Sequence, residues 1–164
     1  MTLSIRNQII LQIQSTFTGI DPNAATPVGP YNLSGDPIGI TFSTVAIGPL
    51  ELKDLRKANA IGIVVGAETK IGEFPAWLCN LQVALEFHSA GNQGDLAPGL
   101  IAERTLTAIE RIVYTNRTWG GLAIDTLDVG NEIDLTSYAS RAIMGVFKMQ
   151  VRYRHSEGDP RRII

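Results

Sequence analysis

At 164 residues, with 45% hydrophobic and 18% charged residues, the chain has the size of one domain and is too apolar to be disordered throughout. Its formal net charge of −2 gives no ground for nucleic acid or an anionic membrane as a partner. No apolar run approaches the roughly 20 residues of a membrane helix, which predicts a soluble protein with no membrane contact. The single cysteine, Cys79, excludes an internal disulfide.

Ser4 precedes a helical pattern in which Ile5, Ile9, Ile13 and Phe17 recur every fourth residue, with Arg6, Gln8, Gln12 and Gln14 opposite. The spacing predicts an amphipathic helix over residues 1–20, ending near Gly19. From Asp21 to Pro49 the chain is punctuated by Pro22, Pro27, Pro30, Pro37 and Pro49 and their neighbouring Gly and Asp residues. That composition excludes helix and predicts an extended loop over 21–59, with at most a short strand between Ile38 and Ile47. Ala60–Val65 is apolar on both faces, as in a central strand. Glu68-Thr69-Lys70-Ile71-Gly72 reads as the turn that follows it.

Trp77, Cys79, Leu81, Val83, Leu85 and Phe87 alternate with Asn80, Gln82, Ala84, Glu86 and His88. Ile143, Phe147, Met149, Val151 and Tyr153 alternate in the same way with Lys148, Gln150, Arg152 and Arg154. A period of two over this length predicts long strands with one buried and one wet face. Between them, Asp95 or Ala97 caps a helix that has Pro98 in its first turn. Its inner face is Ile101, Thr105, Ala108, Ile109 and Ile112, and Asn116 is its stop. Leu122–Leu135 reads as a short strand pair turning at Gly130-Asn131. It carries Asp125, Asp128, Glu132 and Asp134 and no cation, whereas the chain from Arg141 onward is basic. Residues 60–155 are thus the sheet and helix core of a single domain 1–164, and 156–164 is a polar, mobile tail. The fold class predicted is α+β: a mostly antiparallel sheet with two main amphipathic helices on one face, plus the long Pro/Gly-rich loop.

Chemistry-bearing motifs are missing from the sequence. Cys79 and His88 are an odd number of residues apart on one strand, so they face opposite ways and form no dyad. Two scattered histidines and one cysteine make no metal site, and the four acids lack the spacing of a calcium loop. Gly62–Gly66 lacks the Lys-Ser/Thr of a phosphate loop, and no nucleophile elbow occurs. The expectation is a non-enzymatic protein without a cofactor, working through its surface. The acidic Asp125–Asp134 segment and the basic Lys148, Arg152 and Arg154 are candidate complementary patches between copies. Pairing of the same residues across adjacent strands of one chain is the alternative.

Trp119–Glu132, followed by Met144–His155, resembles the end of small tail proteins of tailed bacteriophages, and the nearest family is that of the tail terminators (tail-completion proteins). The resemblance implies a virion protein assembled in the host cytoplasm, whose six copies form a ring that caps the tail tube and ends its polymerisation. Its expected partners are itself, the tail tube protein, a neck or head-closure protein and, in a contractile tail, the sheath protein. DNA would pass through the lumen without specific binding. On this reading Asp125, Asp128, Glu132, Asp134, Lys148, Arg152 and Arg154 lie at the subunit interface, or the acids line the lumen. A neck or head-closure connector is the close alternative. A small-ligand-binding or hydrolytic domain with residues 21–49 as a lid is the more distant one.

Overall fold

The computed structural model describes residues 3–18, 42–51, 54, 59–90, 97–134 and 142–164. Most of the Pro/Gly-rich stretch and the Asp95 cap therefore lie outside the described residues.

Helix α1 spans Ile5–Thr18 and buries Ile5, Ile9, Ile10, Ile13 and Phe17. Ser4 caps it as its residue type predicts: the Asn7 N–H donates to Ser4 Oγ at 3.3 Å, and the Gln8 N–H to the Ser4 carbonyl at 3.0 Å. Strand β1, Thr44–Ile47, is the short strand anticipated within 38–47. Strands β2 (Asn59–Glu73) and β3 (Ala76–Ala90) form a long hairpin, with a cis peptide at Phe74–Pro75 in its turn. Helix α2 covers Pro98–Thr115, and its C-cap Asn116 returns its amide to the Ile112 carbonyl at 2.8 Å. Strands β4 (Asp125–Asp134) and β5 (Ala142–Ser156) complete the fold.

The five strands form one sheet in the order β1-β2-β3-β5-β4. Only the β1–β2 pair is parallel. The odd-numbered side chains of β3 and β5, from Cys79 to Phe87 and from Phe147 to Tyr153, share one core with the buried faces of α1 and α2. Both helices therefore pack on one face of the sheet, and the fold is α+β as the patterning predicts. The outer face carries no helix among the described residues. At one end it is covered by the connection that follows β1, where a Cβ on Gly62 would meet the Gly48 carbonyl at 2.7 Å. There the Leu50 N–H also donates to Glu86.

Four local expectations are corrected. Residues 68–72 are no turn: β2 runs on to Glu73, because a bulge at Gly66–Ala67 opposite Gln82 lets its pairing with β3 resume at Glu68↔Leu81. Residues 125–134 are no hairpin either, since all of β4 pairs with β5 and Gly130, at φ 131°, occupies a second bulge. His88, expected in solvent at a strand end, is only 3% exposed, because it pairs with Ala60 and Met144 inside the sheet. The C-terminal segment, expected as a mobile tail, is tied to the body. The Ser156 N–H donates to the Arg162 carbonyl, and Pro160 accepts from the first helical N–H, that of Ile5, at 2.9 Å.

Candidate functional site

The nominated charged residues converge on the outer face where β4 lies beside β5. Register places Asp125 opposite Arg152, and Lys148 opposite Gly130, two pairs from Glu132. Lys148 Nζ stands 3.8 Å from Glu132 Oε2. Arg154, on the far side of β3, reaches Glu73 of β2 at 2.8 Å. Asp125 is further held by Arg117, whose Nε and Nη2 donate to its two oxygens at 2.7 and 2.9 Å. That bidentate contact, ahead of every other influence, keeps the Asp125 carboxyl below its ordinary range. Asp134 lies at the exposed end of the strand, in register with Met144.

Asp128 departs from this set. Before the Gly130 bulge it is in register with Met149, on the helix side. There it accepts a hydrogen bond from Tyr114 Oη of α2 at 2.9 Å, which together with burial and the negative charge raises the Tyr114 phenol. The acidic and basic segments thus meet within one chain, across neighbouring strands. Each such exposed pair contributes about 0.2–1 kcal/mol. The pairing also means that the cations of this face already have carboxylates beside them.

A second polar cluster was not foreseen. The β2 bulge turns Glu68 and Lys70 to the helix side, where Glu68 accepts from Tyr153 Oη at 2.5 Å and pairs with Lys70 at 3.2 Å. They line a small pocket of about 170 Å³ with Ser4, Arg6, His155 and Pro160. Burial, followed by the Glu68 contact, drives the Tyr153 phenol far above its ordinary range. Burial also pushes up the thiol of Cys79, the cross-strand neighbour of Tyr153. Both groups are therefore held neutral, the opposite of an activated nucleophile. The signal for this pocket lies in the bulge, which no periodicity announces. Cys79 and His88 do face opposite sides of β3, as counted from their spacing.

Among the described residues no three His, Cys, Asp or Glu side chains are grouped to hold a metal ion. No helix among them is long and apolar enough to cross a membrane. No protein-family model matches the chain, and no curated protein matches it.

Proposed function

We propose that this chain is a structural subunit of a tailed-phage virion, forming a ring that caps the tail tube, ends its polymerisation and offers the tail side of the head–tail junction. The observation that carries this reading is the outer sheet face. It is an open surface on four long strands, with no helix over it among the described residues. It mixes exposed Ile71 and Leu127 with half-buried Val146, Gln150 and Arg152. A half-buried, mixed surface of this kind suits coverage by neighbouring proteins. The similarity of Trp119–Glu132 and Met144–His155 to the end of tail-terminator proteins supplies the class of neighbour.

In the alternative placement, with the acids of this face at the lumen, its charge pairing suits a channel for DNA. Free cations at a lumen would hold phosphates, each contact strengthening non-specific binding. Here Lys148, Arg152 and Arg154 lie beside Glu132, Asp125 and Glu73. The test is to add the purified protein to growing tail tubes and follow tube length and tube ends by electron microscopy, with native mass spectrometry of the protein itself. Capped tubes of arrested length and a ring-sized species are expected. A strict monomer that leaves tube growth unchanged overturns the proposal.

A further inference from the structure

The small pocket beside the β2 bulge is walled by separate parts of the chain. Ser4 and Arg6 come from the N-terminal end of α1, Glu68 and Lys70 from β2, and Tyr153 and His155 from β5. Its depth is graded, with His155 6% exposed and Lys70 in solvent. Glu68 is already held on both oxygens, by Lys70 and by Tyr153 Oη. Arg6 is half-buried and makes no ion pair among the described residues. Two cations against one carboxylate leave the pocket with a positive charge in excess. His155 adds an acceptor. Its Nδ1 lies 2.8 Å from the Ser156 carbonyl, which can only accept, so Nδ1 carries the hydrogen of the neutral ring. Nε2 is then a lone-pair acceptor without a partner among the described residues, on a buried ring that lines the pocket.

We infer that this pocket binds inorganic phosphate in a form that keeps a proton. The site holds donors and acceptors together, and protonated phosphate matches both. Arg6 and Lys70 donate to its oxygens, as does the Ser4 hydroxyl, whose oxygen already accepts the Asn7 N–H at 3.3 Å. The P–OH group donates to His155 Nε2. Sulfate offers no hydrogen to that nitrogen and sets a bare oxygen against Glu68. A monoanion also equals the charge in excess. A pocket of about 170 Å³ takes the ion with a few waters, each needing about 30 Å³. The first N–H of α1 is taken by the Pro160 carbonyl, so the site rests on side chains and not on the helix end. The inference is independent of the ring reading, since every group in it belongs to one chain. A bound phosphate joins α1, β2 and β5 and stabilises the folded chain by mass action.

Isothermal titration calorimetry of the whole chain tests the site, with inorganic phosphate, methyl phosphate and sulfate as probes. At about pH 7 the inorganic ion keeps one or two protons, the monoester has mostly lost its last, and sulfate has none. One phosphate per chain is expected, with sulfate and methyl phosphate each weaker by about tenfold, the worth of one hydrogen bond to a partner left unpaired. Arg6→Gln should weaken phosphate by about tenfold and abolish the rise of thermal midpoint that phosphate gives the wild type. His155→Phe should narrow the preference for phosphate over sulfate, an effect that a purely structural histidine would not have. Phosphate-free midpoints close to wild type certify the folds, and Arg6→Gln alone keeps the test decisive if His155→Phe unfolds. Absence of saturable phosphate binding overturns the inference. So does sulfate binding as tightly as phosphate, which is ionic attraction alone, and so does wild-type affinity in Arg6→Gln, which places the ion elsewhere.

Discussion

Trp119 is fully buried at a positive φ of 46°, and its indole N–H donates to Thr126 Oγ1 at 2.8 Å. The same hydroxyl donates to the Arg117 carbonyl at 2.8 Å. One side chain of β4 thus satisfies both ends of the segment that leads into it. Thr126→Val keeps the shape and removes the hydroxyl, leaving a buried indole donor and a carbonyl unpaired. Equilibrium denaturation should show a loss of about 1–3 kcal/mol, most of it restored in Thr126→Ser. His88 offers a pH test. Its Nδ1 has no hydrogen-bond partner among the described residues, and burial lowers its pKa from the ordinary 6.5. The unfolded chain then binds the proton that the folded chain refuses. Stability is fully present above the unfolded value of 6.5 and is lost as pH falls below it toward the depressed folded value. The thermal midpoint should drop between about pH 7.5 and pH 5.5, and this part of the drop should disappear in His88→Gln.

The elements divide by how far their neighbours enforce a pattern. The alternations from Trp77 to Phe87 and from Ile143 to Tyr153 were legible because the helices cover one side of β3 and β5 along nearly their whole length. The distal half of β2 was not legible. Exposed on both sides, it has no buried face to write a period, and Gly66 and Gly72 imitate a turn. The contrast between acidic and basic segments was visible as composition, but its location was not. Pairing within one chain depends on β5 lying between β3 and β4, a matter of strand order that composition does not encode. The Arg154–Glu73 bridge joins two strands across a third. Its side chains are 44% and 40% exposed, so a double-mutant cycle should give a coupling below about 1 kcal/mol that shrinks further in high salt. Reversal of Arg154 to Glu alone leaves the fold intact and sets two carboxylates together, and Glu73→Arg in the same chain should recover the small loss.

For the whole molecule, the two sides of the sheet differ in what covers them. The inner side holds both helices and the main apolar core, while the outer side, which carries no helix among the described residues, is the one we propose that neighbouring subunits cover. The C-terminal segment closes the inner side at its end, since Pro160 receives the opening N–H of α1. The tail-capping experiment reads this division directly: charge changes on the outer face should alter capping at constant stability, and changes under the helices should do the reverse.

The bulge at Gly66–Ala67 has a consequence for how such a chain can vary. The extra residue there is taken up between Val65↔Val83 and Glu68↔Leu81 without passing on to the pairs beyond it. Loss of a single codon at that spot would remove the bulge and leave Glu68 opposite Leu81, with Glu68 and Lys70 still on the helix side and Ile71 still outside. Tyr153 would keep its acceptor. A lineage could thus gain or lose a residue here in a single genetic step without re-dressing either flank of the hairpin.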